Sequence, residues 1–458
     1  MTTPRRSFRK PTKTLSGVTP IAVALPPRSC DHGVCTYCPN LGVSQSYTPK
    51  SSTIARAVPV QYDPYKQIKI RLEAFEKMGQ PIDKIELIVL GGTFLQYPID
   101  YQYSFMKGCY DAMNGFVSKN LEEAKTANET AKNRCIAVCI ETRPDNCTEK
   151  DVKRMLEFGA TRCEMGVQAP DDKIYKLINR GHTANDIIDS TKRLKNAGFK
   201  VGFHLMPGLP GSSPSKDLEM FEMIFKNENF RPDQLKIYPT QILTGTILAK
   251  TYKKMKYLPY TDEQVIRLLI KMKQRIPKYC RLMRVMREIQ SEYIVEGNSR
   301  LDLRKEAKEK MSKLGLRCNC IRCREIGFAV KNKMKIGKER GIKRLDYQAS
   351  GGKEIFLEFS TKEGILYGIC RLRIVGKTLF VRELHVYGAQ VRIGEQGDIQ
   401  HKGIGSALMR ETESIAKEFK CKDIKIISGI GVREYYSSKF GYKLQGPYMV
   451  KNVLDKAF

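Results

Sequence analysis

The sequence predicts an α/β protein with two folded parts, a partial (β/α)6 barrel followed by a smaller C-terminal α+β domain. In the first half of the chain, apolar β-branched stretches alternate with helical patterns, which is typical of parallel strands joined by helical crossovers. From about Lys353 the pattern changes to short strands, a Gly-rich turn and one long helix. The length of 458 residues also indicates two or three domains.

The barrel is predicted from six stretches, and each is followed by a helical pattern or a loop rich in polar residues. Two of the helical patterns are DPYKQIKIRLEAFEKMG and ANDIIDSTKRLKNAG, and the second ends at Gly198, a residue suited to a helix C-terminus. Active sites of such barrels lie at the C-terminal ends of the strands. The predicted strands are Val18–Leu25, Ile85–Leu90, Cys135–Ile140, Arg162–Val167, Lys200–Leu205 and Gln234–Tyr238.

The chain divides into four predicted segments. A basic N-terminal tail covers residues 1–16 and the barrel covers 17–270. A Lys/Arg-dense linker at 271–345 contains a cysteine cluster, and the α+β domain occupies 346–458. This division predicts two sites, one in the barrel and one in the C-terminal domain.

The charge of the chain favours a polyanionic partner. It has 80 Lys and Arg against 49 Asp and Glu, a formal net charge of +31. Nucleic acid is the first expectation, while a generally basic proteome would give the same charge without such a partner. No apolar run approaches a membrane span and no signal peptide opens the sequence, so we expect a cytoplasmic protein that does not bind membranes. The predicted phosphate-binding stretch is 250–287, with Lys253, Lys254, Lys256, Lys271, Lys273 and Arg275.

Two groups of cysteines stand out among the 14 in the chain. The first triplet is Cys30, Cys35 and Cys38, and the second triplet is Cys318, Cys320 and Cys323. In a cytoplasmic protein, clustered cysteines suggest metal, and scattered ones mostly pack in the core. Core packing is therefore predicted for Cys109, Cys135, Cys139, Cys163, Cys370 and Cys421.

The first triplet lies in SCDHGVCTYCPN, directly after the first predicted strand and hence at the barrel mouth. Three thiolates leave one metal position open, whereas structural zinc and most iron–sulfur sites take four ligands. A 4Fe–4S cluster held by three cysteines has one iron free for a small molecule. A zinc site completed by His32 is the alternative.

Together with residues at other strand ends, the first triplet resembles the radical S-adenosylmethionine (SAM) superfamily, although four residues rather than three separate its first two cysteines. The resemblance implies that Tyr37 packs by the adenine of SAM and that Gly91, Gly92 and Thr93 of LGGTF contact its amine. Glu141 of ETRPD and Gln168 of EMGVQ are expected at the mouth as further cofactor contacts, and ordinary loop polarity is the alternative for both.

In the C-terminal domain, Gln400, Gly403 and Gly405 form a Q-x-x-G-x-G turn that opens an amphipathic helix. Exposed backbone N–H groups and the helix dipole can cradle a pyrophosphate there. The stretch resembles the GNAT acetyltransferase fold, whose ligand is acetyl-CoA, and this places Tyr435 and Tyr436 beside the thioester, with Tyr436 preferred. Core packing is the alternative for both tyrosines.

Two residues of RELHVYG, on the strand before the glycine turn, are the remaining candidates in this domain. Glu383 and His385 could act as general base if the chemistry were simple acetyl transfer. They could equally be strand residues that place the cofactor, and the sequence leaves both interpretations open.

With NRGHT, HLMPGLPG and KIYPT between the two sets of motifs, the chain resembles the catalytic subunit family of Elongator in an archaeal-type version. The resemblance implies a tRNA wobble-uridine enzyme that forms 5-carboxymethyluridine from acetyl-CoA and SAM, with Lys236 and Tyr238 near the reacting acetyl group. Its partner would be the anticodon loop of tRNA. A homodimer and additional Elongator-like subunits stay open. Only 29 residues precede Cys30, where the family usually has a longer basic segment, so we expect weakened tRNA affinity.

The second triplet, in RCNCIRC, is predicted to hold a structural zinc ion between the two domains. A fourth ligand is required, and Cys280 of PKYCRLM is the candidate. Reduced cysteine without metal is the alternative.

Two other functions are consistent with the same motifs. One is a protein lysine acetyltransferase with a structural iron–sulfur domain, in which Glu383 would be the base. The other is a tRNA-binding scaffold with a vestigial acetyl-CoA site. For the radical mechanism, the acetyl end of acetyl-CoA must reach the barrel mouth, so the sequence predicts that the two domains face each other there.

Overall fold

The computed structural model describes residues 16–388, 390 and 403–453. The strands are β1 Thr19–Ala24, β2 Lys84–Leu90, β3 Arg134–Thr142, β4 Arg162–Gln168, β5 Lys200–Leu205, β6 Gln234–Ile237, β7 Ile242–Leu243, β8 Arg281–Val285, β9 Ile294–Glu296, β10 Arg340–Ala349, β11 Gly352–Thr361, β12 Leu366–Val375, β13 Thr378–Val386, β14 Asp423–Ile426, β15 Lys443–Gln445 and β16 Tyr448–Asn452.

The α-helices alternate with these strands in the first half of the chain. They are α1 Ile54–Ala57, α2 Pro64–Lys77, α3 Ile99–Asn114, α4 Leu121–Asn128, α5 Glu149–Glu157, α6 Asp172–Leu177, α7 Ala184–Asn196, α8 Pro214–Lys226, α9 Ile247–Thr251, α10 Asp262–Arg275, α11 Leu303–Lys313, α12 Ile321–Arg324, α13 Ile326–Lys331, α14 Ile404–Glu418 and α15 Arg433–Phe440. None of the described helices combines the length and the apolar character that a membrane crossing requires.

The first sheet is the partial barrel. Seven strands follow the order β1-β2-β3-β4-β5-β6-β8, and every neighbouring pair is parallel. The six predicted strands are all present, and the α/β class is confirmed. The seventh strand, Arg281–Val285, extends the sheet beyond residue 270, where the predicted barrel segment ends. Arg281 and Arg284 interrupt its apolar residues, so the sequence shows no apolar alternation by which this strand could be predicted.

Local signals fix the helices between these strands. The side chain of Thr183 accepts a hydrogen bond from the backbone N–H of Asp186, whose side chain in turn accepts from the N–H of Thr183, so α7 begins with a capping box. The same helix ends before Gly198, whose φ of 87° lies in the left-handed region favoured by glycine. Such ends keep the crossover helices short and direct each following strand back into the sheet.

The second sheet forms the C-terminal domain, with the order β10-β11-β12-β13-β14-β16-β15. Its pairs are antiparallel except for β13 and β14, which pair in parallel only from Thr378 to Val381 although β13 continues to Val386. Part of strand β10 falls in the segment that was predicted as a linker. Its Lys and Arg residues are typical of a solvent-exposed stretch, so the sequence did not predict a strand there. Helix α14 follows the glycine turn and packs on β12 and β13.

The two domains meet at the N-terminal ends of the barrel strands. Arg382 of β13 donates to the carbonyl of Phe199 at 2.6 Å and pairs with Asp233 at 2.5 Å, just before β5 and β6. Glu383 pairs with Lys200, the first residue of β5, at 2.6 Å. The prediction that the domains face each other across the barrel mouth is therefore wrong, because buried ion pairs hold the C-terminal domain against the opposite edge of the sheet.

Candidate active site

The first triplet lies in the loop that follows β1, at the C-terminal edge of the sheet. Its thiols line a cavity that opens to solvent at this edge of the sheet. The loop is tied down by the segment after α6: Thr36 N–H donates to the carbonyl of Ile178 at 3.0 Å, and Asn179 Nδ2 donates to that of Val34 at 2.9 Å.

Hydrogen-bond donors converge on two of these sulfur atoms. Gln45 Nε2 donates to Cys38 Sγ at 3.0 Å, and the hydroxyl of Ser46 lies 3.2 Å from the same sulfur. Arg180 Nη1 donates to Cys35 Sγ at 3.5 Å. Such donors suit sulfurs that carry negative charge, as thiolates bound to a metal do.

The spacing of the first triplet fits a cluster better than a single ion. Among the described residues, its three sulfurs are not within 4.8 Å of one another, whereas those of the second triplet are. One zinc ion at about 2.3 Å from each sulfur needs them about 3.8 Å apart. Thiolates that bind different irons of a 4Fe–4S cluster lie further apart. His32 contacts the sulfur of Cys35, which lies 3.3 Å from the Nε2 atom of the histidine ring.

The glycine corner after β2 closes one side of the cavity. Gly91 has φ 115°, and a Cβ there would lie 3.1 Å from the backbone nitrogen of Leu25, so only glycine fits without displacing β1. Gly92, with φ 113°, and the buried Thr93 line the cavity itself, and the Thr93 side chain hydrogen-bonds to Cys30. The buried ring of Tyr37 also lines it.

A charged group borders the cavity, in which Glu141, Glu164 and His204 line the wall and Lys236 lies behind them. Lys236 Nζ lies 2.7 Å from Glu141 Oε1 and also pairs with Glu164, whose carboxylate contacts His204 Nε2 at 2.9 Å. Burial opposes the charge of Lys236, but the two carboxylates outweigh it and hold the pKa of its ammonium well above the usual range. Burial likewise opposes the charge of Glu164, yet Lys236 and Arg162 hold the pKa of its carboxyl well below the usual range. Lys236 and Glu164 are thus both held in their charged forms.

This group does not need a metal ion. The oxygen and nitrogen atoms of Glu141, Glu164 and His204 lie within 4.8 Å of one another, close enough for one ion. The ammonium of Lys236 already lies between the two carboxylates and balances their charge. The arrangement is therefore a fixed, charge-balanced ion-pair group rather than a metal site.

Two further predicted residues line the cavity. The ring of Tyr238 meets that of His204 edge-on with centroids 5.7 Å apart, and burial raises the pKa of the Tyr238 hydroxyl. Gln168 has φ 66°, a strained conformation for a side chain with a Cβ, and its buried Oε1 has no hydrogen-bond partner among the described residues. An unpaired buried oxygen aimed at a cavity is suited to a ligand donor such as the SAM amine.

Comparison with known proteins agrees with this geometry. The model of the radical SAM superfamily matches residues 25–224, and that of the radical SAM C-terminal domain matches 232–313. A tRNA uridine(34) acetyltransferase of Dehalococcoides mccartyi is 47% identical over 97% of this chain and 100% of its own length. Elongator complex protein 3 of Homo sapiens is 38% identical, over 96% of this chain and 85% of its own.

The chain belongs to the Elongator complex protein 3 family. A solved structure of archaeal Methanocaldococcus infernus Elp3 with its N-terminus deleted superposes with a TM-score of 0.85 at 44% identity, covering 96% of this chain and 100% of that one. The predicted family resemblance is thereby confirmed. Membership of the radical SAM superfamily implies a 4Fe–4S cluster and SAM, and the donor set around the first triplet fits that cluster.

The second triplet of this Elongator family chain lies between β8 and the C-terminal domain. Its three sulfurs lie within 4.8 Å of one another. Hydrogen bonds from the neighbouring thiols Cys318 and Cys323 hold the pKa of Cys320 well below its usual value. The structure does not bring the sulfur of Cys280, the predicted fourth ligand, into this group, although the carbonyl of Cys280 accepts from Ile321 N–H at 3.0 Å.

In the acetyltransferase-like domain, Gln400 lies outside the described residues. Gly403 is the N-cap of α14 with φ 81°, and a Cβ on Gly405 would lie 2.9 Å from the hydroxyl of Tyr435. Tyr435 therefore lies beside the glycine turn. Tyr436, the tyrosine preferred from the sequence, is buried and packs against the ring of Tyr435, with the two ring centroids 5.3 Å apart.

The structure places Glu383 and His385 in the contact between the domains. Glu383 pairs with Lys200 and, at 3.1 Å, with Arg371. Burial opposes its charge, but these two cations keep the pKa of its carboxyl well below the usual range. His385 Nε2 lies 2.6 Å from the carbonyl of Ser16, and burial lowers the pKa of His385 to about 4. Both residues thus hold the interface.

The predicted basic stretch is exposed with one exception. Lys253, Lys254, Lys256 and Lys271 are exposed, and Arg275 pairs with Glu222. Lys273 is only 1% exposed, so its assignment as a phosphate contact is wrong. It lies on the inner face of α10, and its charge acts on Cys323 of the second triplet.

Sequence reasoning gave no role to three residues that build the site. Glu164 and His204 point inward from neighbouring strands to the Lys236 group, and Arg180 reaches the first triplet from the loop after α6. Charged residues at alternate positions of otherwise buried strands were the available signal for the first two. Arg180 has no such signal, because only the fold brings it to Cys35.

Proposed function

We propose that this protein modifies the wobble uridine of tRNA, forming 5-carboxymethyluridine from acetyl-CoA and SAM, with the first triplet holding the 4Fe–4S cluster. The observation that carries the proposal is an open three-thiol site on a cavity, in a chain whose relatives of nearly equal length are named tRNA uridine(34) acetyltransferase. When bound, the cluster and SAM would supply a radical able to take a hydrogen atom from the acetyl methyl group.

The residues of the cavity would orient the reactants. Lys236 fixes the carboxylates of Glu141 and Glu164, which line the cavity, so their oxygens can accept hydrogen bonds from a reactant without reorganisation. Gln168 Oε1 is free to accept from the SAM amine. The buried ring of Tyr37 and the half-buried ring of Tyr238 limit water in the cavity, which protects a reactive intermediate.

Acetyl-CoA would bind at the other edge of the sheet. Gly403 and Gly405 open α14 toward a phosphate, and Tyr435 lies beside the turn with Tyr436 packed against it. Strand β5 has 6 residues, so about 20 Å separates the strand starts from the cavity at 3.3 Å per residue. The proposal therefore requires the acetyl group to travel between the two edges.

The tRNA would bind through the exposed lysines around α9 and α10. A uridine of the anticodon loop can be turned out of its stack into the cavity, which a base inside a duplex cannot do as readily. The net charge of +31 favours such binding, and each phosphate contact releases counterions.

The deciding experiment is an anaerobic reaction with reconstituted protein, SAM, dithionite, tRNA and acetyl-CoA deuterated on its methyl group. We expect 5-carboxymethyluridine in the digested tRNA and deuterium in 5′-deoxyadenosine. A matched reaction replaces tRNA by a lysine-containing peptide. Unlabelled 5′-deoxyadenosine together with a peptide or uridine that keeps an intact trideuterated methyl would contradict the proposal.

A lysine acetyltransferase is disfavoured by the position of Glu383. That reaction needs a base near the thioester, and both oxygens of Glu383 are engaged by Lys200 and Arg371. The peptide arm of the experiment tests this directly, because an acetylated peptide formed without SAM or reductant would favour the acetyltransferase.

A further inference from the structure

The strongest unexplained feature of the molecule is a buried cation without a carboxylate partner. Arg180 is 7% exposed. Among the described residues, no carboxylate oxygen lies within 4.0 Å of its guanidinium, and its Nε has no hydrogen-bond partner. Burying an uncompensated charge costs several kcal/mol, so buried arginines are normally paired.

The neighbouring Arg143 provides the contrast. It makes a forked contact with Asp145, at 3.0 Å from Nε and 2.9 Å from Nη2, so its charge is balanced by a carboxylate. Its contact with Cys35 runs through His32, whose Nε2 lies 2.9 Å from Arg143 and 3.3 Å from Cys35 Sγ, while its charge also acts on Cys30. Two buried arginines therefore flank the same sulfur, and only one of them has its own anion.

The guanidinium of Arg180 is held in place rather than mobile. Nη2 donates to the carbonyl of Gly166 at 2.5 Å while Nη1 donates to Cys35 Sγ. A Cβ on Gly166 would lie 2.6 Å from Nη2, so this glycine leaves the space that the guanidinium occupies. The backbone contacts of Ile178 and Asn179 fix the segment to the cysteine loop.

We propose that Arg180 is the counter-ion of the cluster held by the first triplet and makes that cluster easier to reduce. The inference rests on the proposed function, because it needs the cluster there. Reduction adds one electron and no atoms, and a fixed positive charge at Cys35 stabilises the more negative state. Arg180 is thus a positioning and charge-compensating residue that acts through Cys35.

The test compares three variants of the reconstituted holoprotein by an anaerobic redox titration followed by electron paramagnetic resonance. Arg180→Met removes the charge, Arg180→Lys keeps it, and Arg143→Met removes the arginine that has its own carboxylate. We expect Arg180→Met to lower the equilibrium constant for one-electron reduction at least tenfold, which is about 59 mV for a one-electron couple. Arg180→Lys should recover most of that loss, and Arg143→Met should shift the constant less than threefold.

Iron content and circular dichroism complete the test. A folded Arg180→Met protein without iron, beside an Arg180→Lys protein that keeps the cluster, would also support the counter-ion. Equal potentials in Arg180→Met and Arg143→Met would overturn it, and so would loss of iron in both Arg180 variants, because lysine keeps the charge. Failure of the proposed function gives a different result, since the unaltered protein would then hold no cluster at the first triplet.

Discussion

The two cysteine triplets of this chain have the same number of thiols but different surroundings. The first triplet lies at the C-terminal ends of parallel strands, faces a cavity and has sulfurs that are spread apart. The second triplet lies between the domains with its sulfurs gathered, and the charges of Lys273, Arg304 and Arg322 act on it. Equal composition therefore does not imply equal function.

The difference follows from what completes each site. A spread triplet beside open space leaves a position for a small ligand, which is useful in catalysis. A gathered triplet has the spacing that a single ion requires, and an ion held in that way has structural value. Position in the fold decides between the two, because active sites of parallel barrels lie at the strand ends.

The largest expected effect comes from removing one thiol of the first triplet. Cys35→Ser should abolish iron–sulfur absorption and SAM cleavage, because a cluster with two protein thiolates is not retained. Iron analysis and the yield of 5′-deoxyadenosine measure this. Cys320→Ser is the matched control, and we expect it to keep both signals. Full SAM cleavage by Cys35→Ser would break the distinction between the triplets.

The second triplet should instead determine stability. Cys320→Ser should release zinc and lower the free energy of unfolding by about 3 kcal/mol or more, since metal binding contributes directly to folding. Zinc analysis and thermal unfolding measure the effect, and Cys421→Ser, at a buried cysteine away from both triplets, is the control. Unchanged melting and no zinc in the parent protein would indicate reduced cysteines without metal.

One lysine lies near each triplet, Lys236 near the first and Lys273 near the second, and replacing each of them tests whether the two sites have different roles. Lys236→Met should reduce formation of the modified uridine at least 100-fold, because Glu141 and Glu164 then lose the ammonium that lies between them. Lys273→Met should leave that rate within about threefold and weaken zinc retention instead. Lys236→Arg, which keeps the charge, should lose less activity than Lys236→Met. Normal activity of Lys236→Met with normal iron content would remove this lysine from the mechanism.

The sequence predicted the six apolar strands and both triplets, because period-2 burial and cysteine spacing are local signals. It missed β8 and β10, in which arginine and lysine interrupt that pattern. It also placed the C-terminal domain at the wrong edge of the barrel. The reason is physical: Arg371 and Arg382 resemble solvated residues in sequence, yet both are buried at the domain contact, where each pairs with Asp233 of the barrel as well as with a carboxylate of its own domain. Contacts between residues more than a hundred positions apart leave no local pattern.

The smallest expected effect is a change in the free energy of unfolding with pH that comes from the surroundings of the first triplet. His182, in the segment that supports the first triplet, is buried with both ring nitrogens unpartnered among the described residues, and burial lowers its pKa to about 2. The unfolded chain binds a proton there below about pH 6.5, which the folded chain does not, so stability falls as the pH drops. At pH 5.5 the loss is about 1.4 kcal/mol for this histidine. Near the second triplet, burial lowers the pKa of Arg322 to about 9, so this arginine stays charged over the same interval.

The measurement is the difference in unfolding free energy between pH 7.5 and 5.5, taken for the parent and for His182→Phe. The substitution keeps a ring against Tyr175, whose centroid lies 4.7 Å from that of His182, and removes the titrating group. We expect the variant to lose about 1.4 kcal/mol less than the parent over this interval. Metal release at acid pH affects both proteins equally and cancels in the comparison. The same loss in both proteins would mean that His182 is protonated in the folded chain, and that the surroundings of the first triplet are more open to water than its burial indicates.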